Sequence, residues 1–380
     1  MYRYLVLILK AIFPRVFLKN SFLTYNKLKI RTWDRVFFKA QSIGQHEFES
    51  FEEKNPFLEL QIDIGSFPKL VQQGLKLWTD PNWKQDQYLI VYRGPAYIEP
   101  KVGWGVTQSR RLIYPSLGFS RAPYVHKPSW IQAYIKKNKV VLLGNVVSLR
   151  DTGEENYFHF FNDVISKLLF LQERNFELSK YVIVISDKLW DKAYFQYYLN
   201  NTFIGSLKWH IQKDEWVHFE SAVFCKPYTH SVRFLTRSAS LVNPLRKGER
   251  ERKVFLTRHA RTSRSLSNCD EIYDVVRKFG FEVVDASELP FNEQVELFAN
   301  TRSLIAIHGA GLINMIFRGG MPLDLLEILP SETYIPFHYI MIAKVYGYSY
   351  DVILGSRLSG DSTFRVNPSD VLGFLNRISP

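Results

Sequence analysis

Apolar residues in this chain recur with two periods, and the alternation of those periods predicts a layered α/β fold. Residues 58–64 (LELQIDI) alternate apolar and polar with period two, the pattern of a strand with one wet face. Tyr88-Leu89-Ile90-Val91-Tyr92 predicts a second strand, ended by Gly94-Pro95. Val140-Val141-Leu142-Leu143 predicts a third, apolar enough to be buried on both faces of a parallel sheet. Over residues 156–171 the spacing changes. Phe158, Phe161, Val164, Ile165, Leu168 and Leu169 fall three and four apart, which predicts a helix. Residues 181–185 (YVIVI) then read as a strand, completing a βαβ unit, and residues 221–225 as a further short strand.

Residues 243–253 (NPLRKGERERK) are polar and heavily charged, with a Pro and a Gly, and mark the expected change of domain. Beyond them the rhythm is regular. Strands are expected at 254–257, 281–284, 303–307, 323–328 and 350–354, and helices at 268–279, 293–300, 334–346 and from Pro368 onward. Asn268 and Glu271 have the spacing of a capping box, and Gly280 stands where that helix should end. Repeated βα alternation argues for a doubly wound parallel sheet. With 380 residues the chain is long enough for two cores. The expected division is a basic aromatic segment at 1–33, an α/β domain at 34–242 and a second at 243–380, with a closing helix at 367–378 that packs back on the first domain.

Charge narrows the partners. A net charge of +12 favours anionic ones: nucleotide diphosphates, acidic lipid head groups, polyanionic glycans or nucleic acid. Aromatic RNA-binding signatures are absent, so nucleic acid is not expected. The 1–33 segment carries seven basic residues and no acid, and Lys10 and Pro14 interrupt its apolar stretch. A membrane span needs roughly 20 apolar residues. The segment therefore reads either as lying on an anionic membrane surface or as a core-packing helix. Cys225 and Cys269 form no framework or metal spacing, and a reducing, cytoplasmic location, peripheral to the membrane if the first reading holds, is the simpler expectation.

The local chemistry centres on His308-Gly309-Ala310-Gly311-Leu312-Ile313-Asn314, between an expected strand and an expected helix. Glycines there let a ligand approach the main chain, and a helix start offers free N–H groups and a positive dipole end to a phosphate. A glycine turn needed only for tight packing is the plainer alternative. About fifty residues earlier, Thr257-Arg258-His259-Ala260-Arg261-Thr262-Ser263-Arg264 begins at a strand end; guanidinium forks there suit a diphosphate, although a charge run is ordinarily a solvated loop. Glu327 closes a later strand and can accept from a ribose diol. In the first half, His159 and Asp163 are four apart on one helix face and form a candidate proton acceptor. Glu154 and Glu155 are rival bases, and on spacing alone His159 reads more simply as a core histidine.

As a set these motifs resemble glycosyltransferase family 61, also called the DUF563 family. The likeness runs from about Tyr88 to Leu354. It is carried by Tyr157-Phe158-His159 with Asp163, by Thr257, Arg258, Arg261, Arg264, Asn268 and Glu271, by Gly280 to Val284, by Gln294-Val295, by His308 to Asn314 with Phe317, and by Glu327. The resemblance implies a GT-B fold of two Rossmann-like domains facing a cleft, with the donor on the second. It implies inverting, metal-independent transfer from a nucleotide sugar, often UDP-linked, to a glycan or lipid-linked glycan. Without a clear membrane anchor or lumenal cysteines, the chain looks more like bacterial members associated with surface-polysaccharide or lipopolysaccharide assembly. The expected site is then Asp163 and His159 as proton acceptors, with Thr257, Arg258, Arg264, His308, Gly309, Ala310, Gly311, Asn314 and Glu327 at the donor, and with no metal and no cofactor beyond the substrate. A non-catalytic binder of anionic glycan or nucleic acid, or a transferase of another group from a nucleotide donor, are the competing expectations.

Overall fold

The structure, a computed structural model, describes residues 47–52, 65, 67–75, 86–108, 113, 116, 140–242, 251–258, 265–330, 337–356 and 363–378. The 1–33 segment, the strand expected at 58–64, the 243–250 part of the domain change, and Arg261 and Arg264 lie outside the described residues.

Two sheets organise the chain. The first holds seven strands: β1 (Glu47–Glu52), β2 (Asp86–Ile98), β3 (Gly105–Thr107), β4 (Val140–Ser148), β5 (Val182–Ser186), β6 (Lys208–Gln212) and β7 (Trp216–Lys226). Its order is β1-β2-β7-β4-β5-β6, with β3 on β2; β4 to β7 run parallel, while β1, β2 and β3 pair antiparallel. The second sheet has five strands, β8 (Arg252–Leu256), β9 (Glu282–Val284), β10 (Thr301–Ile307), β11 (Asp324–Pro330) and β12 (Ser349–Gly355), all parallel in the order β12-β11-β10-β8-β9.

Two strand expectations need correction. β2 does not stop at Gly94-Pro95 but runs through it. The register shifts between Arg93 and Ala96, Gly94 takes φ 124°, and Pro95, which has no N–H to donate, sits in the irregularity. The run Val140 to Leu143 is not buried on both faces: Val140 is 51% and Leu142 74% exposed, and the buried part of β4 is its far end, Val146 to Ser148.

The helices follow the 3.6-residue pattern. α1 is Lys69–Leu75. A continuous helix at residues 157–173 (α2) is α-helical at Tyr157–His159 and Ser166–Glu173 and π-helical at Phe160–Ile165. Asn156 caps it by accepting from the Phe158 amide at 2.9 Å, and the Ser166 hydroxyl bonds the Phe161 carbonyl five residues back, at the wide turn. α3 (Asp187–Trp190), α4 (Ala193–Asn201) and α5 (Val232–Val242) complete the first half, and α6 (Cys269–Lys278), α7 (Phe291–Ala299), α8 (His338–Val345) and α9 (Pro368–Ile378) the second. Gly280 ends α6 with φ 80°, as its position suggests. The capping box does not form. Asn268 spends its amide on the backbone of Val366, donating at 2.8 Å and accepting at 3.2 Å, and makes no side-chain cap.

Side chains alternate across the second sheet, as the strand period demands. Phe255, Ile305, Ile307, Leu326 and Ile328 face α6 and α9, where they meet Ile272, Val276, Phe374 and Leu375. The closing helix thus packs on the second sheet, not back on the first. Val254, Leu304, Ala306, Leu325 and Leu329 face the other way, into an apolar cluster shared with α2 and the first sheet. Phe161 of α2 meets Phe317 edge-on at 5.8 Å, and Phe291 of α7 meets Phe317 at 6.0 Å and Tyr197 of α4 at 5.1 Å. Among the described residues no helix is long and apolar enough to cross a membrane.

Candidate active site

In the second sheet the chain passes from β8 outward to β9, then crosses back to β10 on the other side of β8. That reversal lies between β8 and β10, and open parallel sheets take ligands outside the carboxyl ends of the strands at such a point. Thr257 and Arg258 follow β8; His308 and Gly309 follow β10. The two sequence clusters, fifty residues apart, therefore meet here. Arg258 Nη1 donates to the His308 carbonyl at 2.8 Å. Thr257 is tied to the Tyr273 hydroxyl at 2.5 Å and donates its amide to the Val284 carbonyl at 2.9 Å.

The glycine turn differs from expectation in its reason. Gly309 has φ 175° and ψ 169°, extended backbone open to any residue. What requires glycine is space: a Cβ there would overlap Nη1 of Arg258 and come within 2.9 Å of its Cζ. At Gly311 a Cβ would make only ordinary contact with Leu256, at 3.7 Å. Ala310 opens a 3-10 helix, Ala310–Arg318, in place of the expected α-helix. Gly309→Ala is expected to displace the guanidinium, a flexible group, at little cost to the fold. Its melting temperature should stay close to that of the parent; if the turn holds a nucleotide diphosphate, as the sequence leads one to expect, affinity for it should fall about tenfold, the order of one charge-assisted hydrogen bond, as calorimetric titration with UDP would measure.

Asn314 is fully buried. Its Oδ1 accepts from the Tyr157 hydroxyl at 2.6 Å, and its Nδ2 donates to Gln294 Oε1 at 3.2 Å. It joins the 3-10 helix to α2 and α7 and offers nothing to a ligand. Asn314→Ala would leave a buried phenol without its acceptor, and should cost about 2–3 kcal/mol in urea unfolding.

Glu327 lies mid-strand in β11, not at a strand end, and is fully buried. Its Oε1 holds His308 Nδ1 at 2.5 Å and its Oε2 accepts from the Tyr350 hydroxyl at 2.6 Å. Burial and then the Glu327 charge push the Tyr350 phenol far above its ordinary range, so it stays a donor. With both oxygens engaged and no exposure, Glu327 has nothing left for a ribose diol; it acts on the crevice by fixing His308. Tyr339 of α8 donates to the Gly309 carbonyl at 2.6 Å, and its ring lies 5.3 Å from that of His308.

The first half contributes a second histidine–carboxylate pair. His159 Nδ1 meets Asp163 Oδ2 at 2.6 Å, and Asp163 Oδ1 accepts from Asn162 Nδ2 at 2.9 Å. Asn162 Oδ1 in turn holds the His230 amide at 2.7 Å, at a residue with φ 58°. Burial opposes charge on His159, but the hydrogen bond and charge of Asp163, with Asp151 and Glu155 further off, outweigh it and raise the imidazole above its ordinary value. Next to it His230 Nε2 and His338 Nδ1 stand 2.9 Å apart. Burial first, and His159 second, pull His338 down to about 4, so this ring is neutral where His159 is titrating. Phe158 connects the halves, with ring centroids 4.7 Å from His338 and 5.7 Å from Tyr339. The structure thus brings His159 and Asp163 to the same side of the molecule as His308 and Gly309. Of the rival bases, Glu154 is buried against Arg150 Nε at 2.7 Å, and it and Glu155 both line the cavity described below.

Asn162, His230, His338, Tyr339 and Tyr350 were not found from the sequence. Only Asn162 carried a signal there, its place beside Asp163; the others are joined by folding alone. A cavity of ≈710 Å³ also lies beside Arg302, Asp324 and Ser349, but these begin β10, β11 and β12, the amino ends, where parallel sheets do not hold their ligands.

An arginine and a glycine turn meet at a sheet reversal, in a protein of mixed α/β fold. The family comparison gives its class: residues 157–326 match the family model described as Glycosyltransferase 61, and on that match the chain is a glycosyltransferase. The matched span includes the His159–Asp163 pair, Arg258 and the glycine turn, and stops one residue before Glu327. No curated protein matches the chain.

Proposed function

We propose that the chain is an inverting, metal-independent glycosyltransferase of GT-B type, moving a sugar from a UDP-linked donor to a hydroxyl of a glycan or lipid-linked glycan. The observation that carries this is the Arg258–His308 junction at the β8/β10 reversal, joined to the His159–Asp163 pair through the rings of Tyr339 and Phe158. In this reading the donor diphosphate lies against Arg258 and the Gly309 turn. Asp163 holds Nδ1 of His159, so Nε2 takes the acceptor proton. The acceptor oxygen bonds the anomeric carbon as the bond from that carbon to the diphosphate oxygen breaks, and the electron pair leaves with UDP. Arg258 and the turn amides receive the charge that develops there. The setting is surface-polysaccharide or lipopolysaccharide assembly, at the inner face of a membrane, as in the bacterial members the sequence resembles.

A thermal-shift panel of nucleotide sugars tests the donor. Stabilisation grows with affinity, reaching about 2.7 kcal/mol at a hundredfold excess over Kd. One UDP-sugar should exceed UDP itself and be slowly hydrolysed, in the presence of a chelator as in its absence. If no nucleotide sugar shifts the transition or is hydrolysed, the donor reading fails. If activity is lost to the chelator and restored by manganese, the metal-free part fails.

A further inference from the structure

The first sheet has its own concavity. A cavity of ≈450 Å³ opens between the turns that follow β4, β5 and β6, and Trp216 and the turn at residues 99–102 close its side. That volume is in the range of small-ligand sites, and these are again the carboxyl ends of parallel strands.

Its floor is held by buried polar pairs, although Oε2 of Glu154 is buried without a hydrogen-bond partner among the described residues. Arg150 donates through Nε to Glu154 at 2.7 Å, through Nη2 to the Pro100 carbonyl at 3.0 Å, and through Nη1 to Gln212. Asp151 is paired with Lys167 at 2.9 Å, and Glu99 accepts the backbone amides of Lys101 and Val102. These groups hold a shape. The rim is different: it sets Glu155, Asp187 and Asp214 against Lys101, Lys188 and Lys213, three carboxylates against three ammonium groups. On a chain of net charge +12, this rim carries no net charge.

A balanced rim selects by hydrogen bonding. A sugar hydroxyl donates to a carboxylate and accepts from an ammonium, so a polyol satisfies both kinds of group. A phosphate or uronate would meet the three carboxylates along with the three ammonium groups, so the rim offers it no net attraction. Trp216, edge-on to Tyr97 at 6.2 Å, adds the aromatic surface against which the C–H face of a sugar ring packs. The inner end leads to the candidate base. Gly153 lines the cavity, and a Cβ on it would stand 3.5 Å from His159 Cδ2 and 4.0 Å from Nε2.

We infer that this cavity is the acceptor subsite and takes the uncharged, hydroxyl-rich end of a glycan, stacked on Trp216, with its reacting hydroxyl passing Gly153 to reach His159 Nε2. The inference rests on the transferase reading above. It is tested by binding of the labelled full chain to an array of neutral, sialylated and sulfated glycans. Neutral glycans should be retained. Trp216→Ala should lower that signal at least tenfold, and Trp216→Phe, which keeps a ring, should restore most of it. Retention of only the anionic glycans, retention of none, or binding indifferent to Trp216→Ala overturns the inference. The nucleotide-sugar panel on the unaltered chain reports separately. A chain that answers a UDP-sugar but holds no neutral glycan defeats the acceptor assignment alone; one that holds neutral glycans through Trp216 but answers no nucleotide sugar defeats the transferase reading alone.

Discussion

Arg258→Ala is expected to slow donor hydrolysis and transfer by about 10²–10³-fold, the loss typical of removing one preorganised donor from a developing oxyanion. The geometry says why a single residue can matter this much. Arg258 is pinned to the His308 carbonyl at 2.8 Å, in the space that the missing Cβ of Gly309 leaves open. The guanidinium is thus held in place before any ligand arrives, and it costs no reorganisation when charge builds on the leaving group. Lysine should recover little of the loss. One ammonium cannot keep the His308 carbonyl and present a planar fork to a diphosphate at once. Steady-state rates on the UDP-sugar identified by thermal shift, with circular dichroism as a check of folding, decide the matter. A full rate in Arg258→Ala would remove the diphosphate from this crevice.

Asp163→Asn is expected to lower kcat by about 10²–10⁴-fold, the range for losing an effective general base. The carboxylate does two things for His159. It fixes the proton on Nδ1, which leaves Nε2 free to accept, and it raises the imidazole above its ordinary value. The sign of the pH effect follows. Only the neutral ring accepts a proton, so in the parent activity is gained as pH rises through that raised value. Without the Asp163 charge the value falls, and the acid limb of the pH–rate profile should move to lower pH even as the plateau drops. If Asp163 were itself the base, the asparagine variant would lose that limb instead of shifting it. His159→Ala separates the cases further: it should cost as much as the asparagine change, whereas a merely packing histidine would cost stability and leave kcat nearly intact.

Much of this was legible because it is local. Period-two and period-3.6 patterns gave most strands and helices of the second half, and Gly280 marked the end of α6 by its left-handed backbone. The pairing of His159 with Asp163 was readable from an i, i+4 spacing that the helix enforces even across its π-helical turn. The misses share a cause. Gly94-Pro95 looked like a strand end because a bulge and a turn use the same residues, and only the partner strands β7 and β3 show that pairing continues from Ala96. Val140 and Leu142 looked buried because composition cannot tell which face of a strand is covered. Asn268 looked like a cap because nothing nearby in sequence announced the backbone of Val366 as a competing partner.

The sequence by itself determined the alternation of strands and helices, the glycine turn, the arginine cluster after a strand, and the helical histidine–aspartate pair, all properties of short spans with fixed spacing. Tertiary structure alone decided what those parts do for one another. Strand order put Arg258 beside His308 across fifty residues, and burial turned Glu327 and Asn314 from expected ligand contacts into supports whose polar atoms are already matched. The physical reason is that a strand or helix period needs only a few consecutive residues to express itself. Desolvation, partner choice and the side of the sheet that faces the crevice depend instead on neighbours the chain supplies from far away.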